Sequence, residues 1–132
     1  MGIQKSVPED QIAGLIGKPP ANLDWKTWCG PAGEFTYHPM LHPWNWRWHD
    51  RFGGGQLMDW VGHHVDIALW TLGLDNTGPV KVEGTGKHGE HAFFNTYIEY
   101  AYQGTFADGR VIEVRSDFGG TKFTGENGWI HV

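Results

Sequence analysis

The repeat period of the apolar residues changes once along the chain, at Pro79, and this change restricts the fold more than any other feature. Over residues 55–72 the apolar residues recur every three or four positions, which predicts an α-helix that Gly73 ends. After Pro79 apolar and polar residues alternate in segments separated by Gly or Asp-Gly, which predicts strands at residues 80–83, about 94–106, 111–118 and 122–132. One long helix followed by several strands is typical of the α+β class.

The predicted helix has two chemically different faces. A polar and aromatic face carries Asp59, His63, Asp66 and Trp70, so that a carboxylate, an imidazole and a second carboxylate follow one another along one side. The opposite face is apolar, and we expect it to cover the sheet. Its members are Leu57, Met58, Val61, Val65, Ala68, Leu69 and Leu72.

The register of the central hairpin follows from its turn. A two-residue turn at Asp108-Gly109 would split the apolar residues between the two faces of the sheet. A three-residue loop over 107–109, with Gly109 left-handed, pairs Tyr102 with Val114 and Ile98 with Phe118 on one face. This register also places Glu99 opposite Asp117, which is an unfavourable pair of like charges.

The N-terminal part of the chain predicts little regular structure before Phe52. A length of 132 residues allows about one domain. Residues 1–22 predict a linker or arm, and residues 23–132 the domain itself. Seven of the eight tryptophans lie between Trp25 and Trp70, where they supply apolar area to a core or to a ligand surface. Asp24 can cap one short helical turn that ends at Gly30.

Charge and composition exclude several partners. The net charge is −5, and no cluster of Lys and Arg is available to neutralise a phosphate backbone, so nucleic acid is not expected. No apolar run is long enough to predict a membrane span or a signal peptide. The single cysteine, Cys29, predicts a small buried residue in a reducing compartment, and we expect a cytoplasmic protein.

Two patterns suggest a cofactor or a metal. Residues 84–89 match G-x-G-x-x-G, but a strand pattern follows where a dinucleotide site needs a helix, so we predict a glycine-rich turn and no cofactor site. His63 and His64 with Asp66 offer ligands for zinc. Adjacent helical residues point about 100° apart, so only one of the two histidines can easily face a common ion. A small metalloprotein is therefore an alternative hypothesis.

The pair Asp59 and His63 has the best spacing for acid/base chemistry. A carboxylate one helical turn away can orient an imidazole, which exchanges protons near neutral pH. A capping or core pair is the alternative interpretation from spacing alone. Trp46 and Arg47, in the loop before the helix, fit either core packing or a surface that contacts a sugar, and Asp66 fits either an exposed helical residue or a ligand contact.

The sequence from Gly53 to His63 reads G-G-G-x3-D-x3-H and resembles the motif of the Gfo/Idh/MocA oxidoreductases, which act on sugars and cyclitols with a nicotinamide cofactor. Upstream residues resemble a bacterial subgroup of that family in the same order, and the resemblance covers about residues 23–132. These residues are Leu23-Asp24-Trp25, Trp28, Gly30-Pro31, His42-Pro43, Asn45-Trp46-Arg47 and Asp50.

The resemblance implies an α+β domain in which the helix packs on an open, mostly antiparallel sheet. It implies that His63 transfers a proton at the substrate hydroxyl, that Asp59 orients it, and that Arg47, Trp46 and Asp66 are candidates for contacting the substrate. The nucleotide-binding (Rossmann) domain of the family and its Glu-Lys-Pro lysine have no counterpart here. We therefore expect a C-terminally truncated substrate domain that binds no cofactor itself, although NAD or NADP is implied for full-length relatives, and that is inactive alone.

A second hypothesis is a non-catalytic binding or assembly module. Family members of this fold commonly oligomerise through the sheet, and exposed strand edges need a cover. The expected partners are a sugar-like or cyclitol-like small molecule, a further copy of the chain that binds through the sheet, and a separately supplied Rossmann domain.

Overall fold

The computed structural model describes residues 8–132, which form two compact units. The first unit consists of the described residues up to Gln56 together with His88–Tyr97, and the second of Leu57–Lys87 and Ile98–Val132. Helices and antiparallel strands occur together, so the predicted α+β class is confirmed. None of the helices formed by residues 8–132 has the length and apolar character needed to span a lipid bilayer.

The first unit contains short helical segments joined by loops, as the sequence predicts. Helix α1 spans Glu9–Ala13 and α2 spans Trp25–Cys29, followed by 3₁₀ turns at Gly30–Ala32 and Asn45–Trp48. Asp24 caps α2 as expected, because its carboxylate accepts hydrogen bonds from the backbone N–H of Thr27 at 3.0 Å and from its hydroxyl at 2.7 Å. These bonds hold the pKa of Asp24 below its ordinary value.

The core of this unit is built from aromatic rings around Ile12, Leu41 and Phe94. Ile12 is buried, so one residue of the expected arm contributes to the core, whereas residues 14–22 are exposed. Residues 1–7 of that arm lie outside the described residues. His38 is also buried, and its Nε2 lies 2.9 Å from the carbonyl oxygen of Ile12. Cys29 is buried as predicted, and burial raises the pKa of its thiol.

The helix predicted over residues 55–72 is interrupted. Helix α3 spans Gly55–Met58 and α4 spans Trp60–Leu72, with Asp59 as the N-cap of α4. Gly73 ends α4 as predicted, with φ +64° and its N–H directed to the carbonyls of Leu69 and Trp70. Met58 is 69% exposed and does not belong to a buried face, which corrects one member of the predicted apolar arc.

The second unit contains most of the strands. They are β1, Lys81–His88; β2, Tyr97–Thr105; β3, Val111–Arg115; β4, Lys122–Gly125; and β5, Gly128–His131. The first three form one sheet in the order β1-β2-β3, and β4 and β5 form a separate antiparallel hairpin. The single strand predicted over residues 122–132 is therefore wrong, because Glu126 and Asn127 turn the chain between Gly125 and Gly128.

The predicted register of the central hairpin is confirmed. Tyr102 pairs with Val114, and Gly109 lies in the left-handed region at φ +87°. The ladder ends at Arg115, three residues earlier than predicted, so the predicted pairing of Ile98 with Phe118 is wrong. Asp117 lies beyond the ladder, where Arg115 donates two hydrogen bonds to it at 2.9 and 2.8 Å. The predicted pairing of like charges with Glu99 is therefore avoided.

Candidate functional site

Two glycines of the motif, Gly53 and Gly55, lie against other segments of the first unit. A Cβ atom on Gly53 would lie 2.8 Å from the carbonyl oxygen of Arg47, which is closer than real Cβ contacts allow. Gly55 has φ +63°, and a Cβ atom there would overlap the side chain of Thr96. Both close approaches exclude any larger residue, so geometry explains the first and third glycines of the motif.

The predicted substrate residues Arg47 and Trp46 lie in the 3₁₀ turn that Gly53 contacts. The Arg47 guanidinium carbon is 4.1 Å from the ring centroid of Trp44 and 4.8 Å from that of Trp46. Its Nη1 donates a hydrogen bond of 3.1 Å to the Trp44 carbonyl. The cation is therefore held between two indoles, and the Trp44 side chain remains 61% exposed.

Asp59 and His63 lie at the start of α4, in the second unit. Asp59 is the N-cap residue, but its carboxylate makes no capping hydrogen bond. His63 is exposed, and its ring stands edge-on to Trp60 with 6.3 Å between centroids. Asp66 is exposed on the next part of the helix. The pair therefore presents a carboxylate-bearing N-cap and a solvent-accessible imidazole in the first turns of one helix.

His64 faces a different direction from its neighbour, as the helical rotation predicts. Its side chain is half-buried, and its Nδ1 lies 3.1 Å from the Thr121 hydroxyl. It lines a groove of about 610 Å³ between α4, β3 and β4, and His63 does not. The groove and the contact of Thr121 with His64 could not be predicted from the sequence, because both depend on where β4 lies. The apolar arc of the helix was the one available signal.

The two sequence patterns that suggested a metal and a dinucleotide do not form such sites in the described residues. Within residues 8–132, no group of three or more His, Cys, Asp or Glu side chains is placed to hold a metal ion. The predicted glycine-rich turn at residues 84–89 is wrong, since Gly84 to His88 belong to strand β1. Gly84 lies so close to Tyr102 on β2 that a Cβ atom would overlap it. A strand without a following helix does not fit a nucleotide cofactor.

The fold and the motif together define a class of protein. Residues 13–126 match a family model described as the oxidoreductase family, C-terminal alpha/beta domain. The chain belongs to the Gfo/Idh/MocA oxidoreductase family and corresponds to its C-terminal, substrate-binding domain. No curated protein and no solved structure gives a significant match to the chain.

Proposed function

We propose that this domain binds a sugar or a cyclitol and supplies the proton acceptor for oxidation of one of its hydroxyl groups in an NAD(P)-dependent reaction. The observation that carries the proposal is the position of the family motif in the fold. The glycines of the motif are packed against Arg47 and Thr96, and Asp59 and His63 follow at the start of α4. An exposed imidazole at this position is accessible to a substrate hydroxyl.

The proposed oxidation consists of a proton transfer and a hydride transfer. Oxidation of a secondary alcohol removes a proton from oxygen and a hydride from carbon. His63 accepts the proton, because an imidazole exchanges protons near neutral pH, and the Asp59 carboxylate orients the ring or the substrate hydroxyl. Asp66, which is exposed on the same helix, contacts a further hydroxyl of the substrate. Trp46 and Arg47 belong to the first unit and are proposed as substrate contacts from the family resemblance, since indoles and charged side chains suit a sugar ring.

The hydride acceptor has to come from elsewhere. Full-length members of the family imply NAD or NADP, but residues 84–88, which matched the dinucleotide pattern, form a strand, so we assign no step of hydride transfer to this chain. The 132-residue chain is then inactive alone and requires a nucleotide-binding domain to bring the two reactants together.

Binding of the sugar or cyclitol can be tested on the isolated 132-residue chain. In a titration with myo-inositol and with D-glucose, followed by NMR of ¹³C-labelled histidines, we expect the His63 ring signals to shift saturably. The variant His63→Ala should remove the largest shift. The matched variant His64→Ala should retain it, because His64 lies in the groove. Absence of any shift at molar-range polyol, or a shift centred on His64, would refute the assignment.

We further propose that the chain associates with a second copy through its sheet. Supporting this, all eight residues of β1 are exposed, among them Val82 at 61%. Val82→Lys should convert a dimer to a monomer in multi-angle light scattering, whereas Lys81→Ala should not. A wild-type chain that is already monomeric at tens of micromolar would exclude this proposal.

A cytoplasmic location is proposed from Cys29, which is a free, buried thiol. Thiols of this kind are maintained in reducing compartments. Fractionation of the source cells, with detection of the protein outside the cytoplasmic fraction, would contradict it.

A further inference from the structure

The groove of about 610 Å³ in the second unit has the form of a gap beside a β-sheet. Six consecutive residues, Arg110 to Arg115, line one wall, and these include the whole of β3. Residues Thr121 to Thr124 at the start of the β4–β5 hairpin line the opposite wall. Because β3 is the last strand of its sheet and β4 pairs only with β5, each of these two strands has one edge that no other described strand covers.

The register of the hairpin determines what the β3 edge presents. The N–H of Phe106 bonds to the Arg110 carbonyl, and the N–H of Ser116 bonds to the Tyr100 carbonyl. Since hydrogen-bonding pairs alternate along an antiparallel ladder, the even-numbered residues of β3 direct their main-chain groups to β2. The N–H and C=O groups of the odd-numbered residues point the other way, towards the open edge. These residues are Val111, Glu113 and Arg115.

The edge of β4 is complementary. Thr121 and Val132 exchange two hydrogen bonds of 2.9 Å, so Phe123 and Gly125 also direct their main-chain groups to β5. The main-chain groups of Lys122 and Thr124 therefore point away from β5. Both residues line the groove, and no residue of β5 does. Both walls thus present main-chain donors and acceptors at every second residue.

The floor of the groove is the apolar face of α4. Val61, Val65, Ala68 and Leu72 lie one above the other along this helix, and all four line the groove. The bond between His64 and Thr121 fixes the helix to the start of β4. An occupant would meet an apolar surface on one side and two rows of main-chain groups at its edges.

We propose that this groove binds an extended strand of another polypeptide, which inserts between β3 and β4 and pairs with both. The strand would span about five residues, the length of β3, with apolar side chains on alternate positions facing α4. Only an extended main chain offers donors and acceptors at the required two-residue spacing on both of its edges. The strands of a second copy fit less well, because each strand in the described part of this chain already pairs along one edge.

A peptide-binding experiment tests this inference. The probe is a fluorescein-labelled peptide of about eight residues, alternating valine and threonine with lysine at both ends. The control peptide carries N-methyl groups on the threonines or on the valines, which preserve side chains and remove N–H donors on one edge. By fluorescence anisotropy we expect each methylated peptide to bind about tenfold or more weakly, because two or three hydrogen bonds are lost.

Two variants at one position provide the matched comparison on the protein. Glu113→Pro removes an N–H that points into the groove and leaves pairing with β2 intact, so peptide affinity should fall about tenfold. Glu113→Ala retains the N–H and should bind as the wild type does. On the wild-type protein, peptide should also slow amide exchange at Val111, Glu113 and Arg115, independently of whether the proline variant folds.

Three results would overturn the inference. Equal affinity for the methylated and unmethylated peptides would show that the groove binds apolar side chains without hydrogen bonds to the peptide main chain. No binding at millimolar peptide would exclude strand insertion. A wild-type dimer that becomes monomeric in Glu113→Pro would show that a second copy covers the β3 edge instead.

Discussion

Replacement of Gly55 by alanine tests whether its positive φ and its close contact with Thr96 require a glycine. Alanine in the left-handed region, which φ +63° requires, costs about 1–2 kcal/mol. Its Cβ atom would also overlap the Thr96 side chain, and overpacking of this kind adds about 1–3 kcal/mol. We therefore expect Gly55→Ala to lower the free energy of unfolding by about 2–5 kcal/mol, measured by urea titration with tryptophan fluorescence and circular dichroism in parallel.

Gly73 provides the matched control. Its φ of +64° is nearly the same, but nothing lies within 4 Å of a Cβ atom placed there. Gly73→Ala should therefore cost only the backbone contribution of about 1–2 kcal/mol. In a double-mutant cycle, Thr96→Gly should remove the excess cost of Gly55→Ala. Equal losses for the two glycine variants, or an excess that survives Thr96→Gly, would refute the packing of Gly55 against Thr96.

Three further predictions concern pH, glycine positions and activity. Burial lowers the pKa of His49 in the folded protein, so near and below its ordinary pKa of 6.5 the unfolded chain binds more protons than the folded one. The free energy of unfolding should therefore decrease as the pH falls through that value. In urea titrations at several pH values, His49→Gln should show a smaller decrease of the midpoint. Gly84→Ala should destabilise by about 1–3 kcal/mol through overlap with β2. Gly62→Ala, in the first turn of α4 where nothing lies within 4 Å of an added Cβ atom, should stabilise by up to about 1 kcal/mol in the same titration. Fused to a family nucleotide-binding domain, His63→Ala should lower kcat by about 10² to 10⁴-fold and His64→Ala should have little effect; the reverse order, with both folded, would show that the motif assignment is wrong.

The sequence predicted local features whose causes lie within a few residues. The cap at Asp24, the end of α4 at Gly73 and the left-handed Gly109 all follow from side-chain or glycine chemistry at one turn. The register of Tyr102 with Val114 was also predicted, because a three-residue loop keeps the apolar residues on one face and was preferred to a two-residue turn for that reason. The site pair Asp59 and His63 was found from a motif, and its role remains a prediction.

Features that depend on distant segments were not predicted. Gly84 looks like part of a turn because glycines cluster there, but it lies in a strand because Tyr102 approaches it from β2. Ile12 looks too isolated to be buried, but Leu41 and Phe94 pack around it. The break at Asp59 was not predicted, because the apolar residues keep a helical spacing on both sides of it.

The groove depends both on local features, which the sequence predicted, and on the positions of distant segments, which it did not. The predicted register alone fixes which main-chain groups of β3 point away from β2, so the direction of Val111, Glu113 and Arg115 was available from the sequence. That β4 lies opposite them, with its own edge turned inward, required the three-dimensional structure. A strand edge exposed to water is ordinary, but two edges facing one apolar helix leave main-chain groups beside a surface that favours burial. This arrangement is stabilised when an extended chain supplies hydrogen bonds to both edges and covers α4 at the same time.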